Sequence, residues 1–241
     1  MNGPITIKIC GLSTPETLEA ALDAGADMVG LVFHPRSPRF VSDKAARAMA
    51  DQARGRARVV ALVVDLDNAR LDAIAKAVKP DWWQLHGGEN ADRAREIRTR
   101  HGLPVIKAIG WSTGDAQEHG QALSFEHAAD RLLLDARPPK DAAYPGGHGQ
   151  PFDWTTLKAL APLRPHPGGV GFILAGGLYP HNVADAIRTV RGLGCDLKGV
   201  DVSSGVESAP GVKDASKIRD FIAAARAAAR DAAQDAAGDT A

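Results

Sequence analysis

Short apolar runs alternate along this chain with longer amphipathic stretches. The runs are 5–10 (ITIKIC), 27–33 (DMVGLVF), 58–64 (RVVALVV), 81–85 (DWWQL), 104–109 (PVIKAI), 131–135 (RLLLD), 170–175 (VGFILA) and 197–202 (LKGVDV). They are β-branched or apolar nearly throughout, the pattern of parallel strands covered on both faces. Helical periodicity fills the gaps. Thr14 caps TPETLEAALDAG, with Pro15 at the first position and Gly25 past the end. Ser42, Asp67, Asn90, Asp153, Pro180 and Asp214 open the other helical stretches, and the Asn90 helix stops at His101-Gly102. The stretch 112–129 is polar, with little periodicity, and gives the weakest helical signal.

Eight strands, each followed by a helix or a helix-like connection, predict α/β architecture: a single (β/α)8 TIM barrel over residues 1–230. A doubly wound open sheet would show the same alternation and is the competing arrangement. No linker breaks the pattern. Residues 231–241 (DAAQDAAGDTA) contain no large apolar side chain, and this tail is expected to be disordered.

Composition adds mostly exclusions. The chain has 241 residues, 44% of them hydrophobic and 24% charged, enough to bury a large core. Lys+Arg and Asp+Glu each number 29, so no whole-molecule field draws it to nucleic acid or an anionic membrane. Only Cys10 and Cys195 are present, which fits a reducing cytoplasm better than a disulfide framework. No signal peptide and no membrane-spanning run are expected.

In such a barrel, chemistry belongs at the C-terminal ends of the strands. The first run ends in Cys10 and the second leads into His34-Pro35-Arg36-Ser37-Pro38-Arg39. The third ends in Asp65, the fourth in Gln84-Leu85-His86-Gly87, the sixth in Asp135 and the eighth in Asp201-Val202-Ser203-Ser204-Gly205. One rim thus gathers a thiol, an imidazole and three carboxylates, types a core has little reason to collect because unpaired burial is costly. Cys10 becomes a candidate nucleophile or base rather than filler. Asp65 reads as a cap for the third helix, His86 as either structural or functional, and Asp201 as orienting the Ser-Ser-Gly turn. Cys195, in a glycine-flanked connection, reads as inert. Lys8 and Lys107 lie inside strands, where they either point into the barrel or complete a packed layer.

Glycine-rich turns close the last two strands: LAGGLYPHN, with Gly176-Gly177, and DVSSGVE, whose Ser204–Glu207 could open a short extra helix. Glycines let backbone approach a ligand, and helix N-termini aim N–H groups at anions. Barrels often bind phosphate with these two loops. A phosphorylated small molecule is therefore the expected partner. A third glycine cluster, Tyr144–Gly149, reads as a flap over the site or a plain surface loop.

The chain resembles the phosphoribosylanthranilate isomerases of tryptophan biosynthesis. The resemblance rests on KICGL (8–12), GADMVGLVF (25–33), SPRFV (37–41), QLHGGE (84–89), LLLDA (132–136), GGHG with FDW (146–154), ILAGGLYPHNV (173–183) and VDVSSGVE with GVKD (200–214). These stretches run in order over nearly the whole chain. His148 and Gly88 depart from the family's usual residues, which bears on the flap's contacts. The resemblance implies a cytoplasmic enzyme, monomeric or homodimeric, without metal or organic cofactor, carrying out an Amadori rearrangement. It implies Cys10 as general base and Asp135 as general acid. Arg36, rather than Arg39, would meet the anthranilate carboxylate, with His86 and Asp201 also contacting substrate. Gly177, Ser203 and Ser204 would hold the phosphate.

This assignment carries a physical difficulty. With ordinary values of ~8.5 for Cys and ~3.9 for Asp, about 3% of the thiol is ionised at pH 7 and about 0.1% of the carboxyl is protonated. Lys8, the substrate or nearby helix N-termini would have to favour the thiolate, and a closed flap would have to raise Asp135. Rival readings are a lysine-dependent barrel enzyme using Lys107, a metal site on Cys10, His86, Asp135 and Asp201, and a phosphate-ligand sensor without turnover.

Overall fold

The chain folds into a closed parallel barrel in which β1 to β8 neighbour one another in sequence order and β8 pairs back onto β1. The computed structural model describes residues 5–137, 152–160 and 171–238. The strands are β1 (Thr6–Cys10), β2 (Met28–Val32), β3 (Arg58–Val63), β4 (Trp82–Leu85), β5 (Val105–Trp111), β6 (Arg131–Ala136), β7 (Phe172–Leu174) and β8 (Leu197–Val202). The helices are α1 (Pro15–Asp23), α2 (Asp43–Ala53), α3 (Asn68–Val78), α4 (Ala91–His101), α5 (Ala116–Ser124), α6 (Val183–Gly192) and α7 (Ala215–Gly238). A 3-10 segment, Trp154–Leu160, takes the helix position after β6. A small antiparallel hairpin of β9 (Glu207–Ala209) and β10 (Val212–Lys213) follows β8.

Alternation along each strand sorts side chains into two cores. Outward residues such as Ile7, Ile9, Val29, Leu31, Leu132 and Leu134 join the helices in one large cluster. Inward residues Met28, Val60, Ile106, Ala108, Leu133, Ile173 and Ala175 fill the barrel itself. Above them, toward the strand ends, Cys10, Val32 and Leu62 form a smaller group. The interior is thus plugged below and polar above, which places the chemistry at the C-terminal rim.

Local signals explain most helix starts. Thr14, Ser42, Asp67 and Asn90 accept hydrogen bonds from the backbone N–H groups of Thr17, Ala45, Arg70 and Arg93. Gly102 ends α4 in the left-handed conformation, at φ 62°. The weakly patterned stretch after β5 does contain a helix. Asp115 caps it, and the buried Glu118 folds back to accept from the N–H groups of Ser112, Thr113 and Gly114. Caps rather than apolar periodicity hold α5, so a pattern search sees little there.

Two expectations need correction. Asp65 caps nothing: Asp67 caps α3, while Asp65, at φ 50°, accepts from the Gly88 N–H at 2.7 Å. Its carboxylate stitches the β3 loop to the β4 loop. The helix after β7 begins at Val183, not Pro180, because Asn182 turns back to accept from the Tyr179 N–H and holds 179–182 as a turn. The last helix runs on to Gly238. Alanine-rich sequence extends a helix already nucleated by packing. The Tyr144–Gly149 cluster lies outside the described residues.

Candidate active site

The rim after β6, β7 and β8 encloses a pocket of about 310 Å3, counting its open mouth. It is lined by Asp135, Ala175, Gly176, Gly177, Leu178, Asp201, Val202, Ser203, Ser204 and Gly205. Five sequence-nominated residues therefore meet in one place: Asp135, Gly177, Asp201, Ser203 and Ser204. Bare backbone is required there. A Cβ on Gly205 would run into the Leu178 carbonyl oxygen, and one on Gly176 into the Ala136 amide, so the β8 turn closes on the β7 turn, and the β7 turn on the end of β6, only as glycine. The short helix foreseen after β8 is a 3-10 turn over Ser204–Val206.

Cys10 ends β1, buried at 4% exposure and facing inward. Beside it Lys8, on the same strand face, is fully buried, and its ammonium donates to Asp201 Oδ1 at 2.8 Å. Gly30 on the neighbouring strand makes room for both groups: a Cβ there would sit 2.8 Å from Cys10 Sγ and 3.1 Å from Lys8 Nζ. Asp201 consequently joins the two halves of the rim. It grips the lysine next to the thiol and lines the pocket that Asp135 also lines.

The electrostatics of this group oppose one another. Burial pushes the Cys10 thiol above its ordinary value; the Lys8 ammonium pulls it down and Asp201 pushes it further up. Lysine thus favours thiolate, as the sequence suggests, but desolvation is larger and the net movement is away from neutrality. Burial would depress Lys8, yet Asp201 and the Cys10 charge outweigh it and hold the ammonium above its ordinary value.

His86 follows β4, with its Nε2 3.6 Å from Asp135 Oδ2, too long for a direct hydrogen bond. Its Nδ1 lies 3.0 Å from the amide nitrogen of the buried Gln84. His86 is thus held between Gln84 through Nδ1 and Asp135 on its Nε2 edge.

The two arginines after β2 part company. Arg39 is buried and bidentate on Glu207, with Nε–Oε1 at 2.7 Å and Nη2–Oε2 at 2.9 Å. Arg36 is exposed at the same end of the barrel and is not part of the pocket lining. Lys107 faces away from the barrel interior. Ile106 and Ala108 on either side of it point in, while its ammonium meets Glu89 Oε2 at 2.9 Å and the Gly87 carbonyl at 2.6 Å. A lysine held there has no access to a ligand at the mouth, which removes the lysine-dependent alternative. Among the described residues, no three His, Cys, Asp or Glu side chains converge as metal ligands, so the four-ligand alternative finds no geometry. Cys195 donates its thiol to the Leu157 carbonyl at 3.3 Å, away from the rim.

Sequence reasoning undervalued Lys8, Gln84, Gly30 and the Arg39–Glu207 pair. The signal for Lys8 was its two-residue spacing from Cys10, which puts both on one strand face. Nothing local marks Glu207 as a partner for a residue 168 positions earlier.

A family model for N-(5'phosphoribosyl)anthranilate (PRA) isomerase matches residues 7–224. This chain belongs to that family. It is therefore an isomerase of the phosphoribosylanthranilate isomerase group, and its relatives agree. It is 54% identical over 223 residues to the N-(5'-phosphoribosyl)anthranilate isomerase of Nitrobacter hamburgensis, covering 92% of this chain and 93% of that one. The enzyme of that name from a Bradyrhizobium strain is 52% identical, over 92% and 96% of the two chains. Among solved structures, phosphoribosyl anthranilate isomerase from Thermotoga maritima superposes with a TM-score of 0.79 at 33% identity, over 93% of this chain and all of that one. A phosphoribosyl anthranilate isomerase in complex with reduced 1-(o-carboxyphenylamino)-1-deoxyribulose 5-phosphate gives 0.77 at 32% identity, with the same coverage.

Proposed function

We propose that this chain converts N-(5-phosphoribosyl)anthranilate to 1-(2-carboxyphenylamino)-1-deoxyribulose 5-phosphate in tryptophan biosynthesis, with Cys10 as general base and Asp135 as general acid. The supporting observation is that both side chains sit at the same mouth of one barrel, on strands well apart, with Asp201 spanning the space between them. The phosphate of the substrate would lie against Gly177, Ser203 and Ser204, leaving the ribose between β1 and β6. Arg39 is committed to Glu207, so Arg36 is the arginine free to meet the anthranilate carboxylate.

In this reading Asp135 gives its proton to the ribose ring oxygen. The C1′–O bond breaks, and the nitrogen lone pair forms the C1′=N Schiff base. Cys10 thiolate then removes the C2′ proton, and those electrons form the C1′=C2′ bond of an enol-amine as the iminium nitrogen is neutralised. The enol-amine tautomerises, losing its hydroxyl proton and gaining one at C1′, to give the ketone. Lys8 favours the thiolate, and His86 Nε2 faces Asp135 at that edge. Binding contributes as much as proton transfer, because the phosphate anchor fixes which ribose atoms meet the acid and the base.

Residues 1–230 form the catalytic unit in this proposal, working in the cytoplasm as monomer or homodimer without metal or organic cofactor. One neighbouring structure is of monomers generated from a dimeric Thermotoga maritima enzyme. The test is turnover of phosphoribosylanthranilate followed by loss of anthranilate-ring fluorescence. Cys10→Ser and Asp135→Asn are each expected to lower kcat at least ~10²-fold while leaving substrate binding largely intact. Full activity in both variants defeats the assigned roles, and no turnover by the wild type defeats the reaction.

A further inference from the structure

The turn that faces the pocket after β8 is held from behind by a buried charge cluster. Lys213, on β10, sends its ammonium to the Ser203 carbonyl at 2.9 Å, the Ser203 hydroxyl at 3.2 Å and Glu207 Oε1 at 2.7 Å. Glu207, on β9, is also gripped by both ends of the Arg39 guanidinium. The side chains of Arg39, Glu207 and Lys213 are 5%, 4% and 1% exposed. The backbone around them is equally tight. A Cβ on Gly211, at the hairpin tip, would lie 2.6 Å from the Pro38 carbonyl, and one on Gly11 would lie 2.5 Å from Arg39 Cδ. The cluster therefore touches the loop after β1, the loop after β2 and the turn after β8.

A cluster like this is a poor way to gain stability. Taking charges out of water offsets most of their attraction, and a packed apolar substitute is often as stable. Burial holds Lys213 down at about 8 despite Glu207 beside it, so the ammonium is itself kept there at a cost. What the cluster does supply is geometry. All three ammonium contacts converge on Ser203 and Glu207, fixing the direction of the Ser203 carbonyl that starts the turn through Ser204 and Gly205. We propose that Lys213 is a positioning residue for the substrate phosphate: it clamps Ser203 so that the 203–205 turn is preformed, and through Glu207 and Arg39 it ties that turn to the loop carrying Arg36. This rests on the phosphate reading of the turn given above.

The experiment compares wild type with Lys213→Met, which keeps the volume of the side chain and leaves Glu207 paired with Arg39. Inorganic phosphate serves as the probe, through its inhibition constant against turnover. The inhibition constant and KM are expected to rise together by ~10-fold or more, with kcat changed less than ~3-fold and the urea midpoint little changed. Lys213→Gln, which keeps a donor within reach of Ser203, is expected to fall between the two, and it carries the test if the Met variant does not fold. An unchanged phosphate inhibition constant in a folded variant overturns the proposal, as does a loss confined to kcat. Failure of the underlying reading looks different: inorganic phosphate would not inhibit the wild type at all.

Discussion

At the residue scale, the decisive feature is how three buried groups share one small space. Cys10, Lys8 and Asp201 are fixed so that each sets the charge of the next, and burial keeps the thiol above its ordinary value. Thiolate is then a minority form near neutrality, growing as pH rises. The rising limb of log kcat/KM against pH is expected to lie above the ~8.5 of an ordinary thiol. Lys8→Met removes the charge that pulls Cys10 down, so this limb should move to still higher pH. Because that change strands the Asp201 carboxylate, at a cost of about 3–5 kcal/mol, the measurement compares Lys8→Met/Asp201→Asn with Asp201→Asn, so that loss of the opposing Asp201 charge is common to both. A limb that stays in place would show that Lys8 only packs. The place of Cys10 at the rim was legible because it follows from strand order. Its neighbours' roles were not, since β1 and β8 pair only across a sequence separation of 193.

At the element scale, the short pieces border the candidate site and were the hardest to read. Periodicity gave all eight strands to within two residues of their observed ends, because alternation between two cores repeats along each strand. It gave nothing for the β9–β10 hairpin, whose geometry is set by Glu207 and Lys213 meeting each other and Arg39. That hairpin also makes a pH-dependent contribution. Lys213 binds its proton more weakly folded, near 8, than unfolded, near 10.5. Between those values the unfolded chain holds more protons, so the wild type should gain stability relative to Lys213→Met as pH rises from 8 to 10.5. Urea unfolding of both proteins across that range checks the sign. The apposed glycine turns offer a second check. Gly205→Ala drives a methyl into the Leu178 carbonyl and should cost about 1–3 kcal/mol of stability while raising KM through displacement of the proposed phosphate turn.

At the scale of the whole molecule, closure joins the two ends of the chain far from the chemistry. Arg226 on α7 donates to the Ile5 carbonyl at 2.8 Å, the Gly25 carbonyl at 3.0 Å and Asp27 Oδ2 at 2.7 Å. These groups lie at the N-terminal end of the barrel, opposite the candidate site. Arg226→Met is therefore expected to lower stability by about 1–2 kcal/mol without moving kcat or KM, measured by urea unfolding and steady-state turnover on the same sample. An equal loss of activity would mean that the two ends of the barrel are coupled.

The sequence alone determined the strand count, the barrel, the rim and the identity of most groups on it, because backbone periodicity and strand-end position are local properties. Only the tertiary structure decided which groups act on which: Lys8 inward and Lys107 outward, Arg39 committed and Arg36 free, Asp65 a stitch rather than a cap. Those outcomes depend on desolvation and on contacts between residues distant in sequence. Neither is encoded at any single position; both appear only once the barrel has closed.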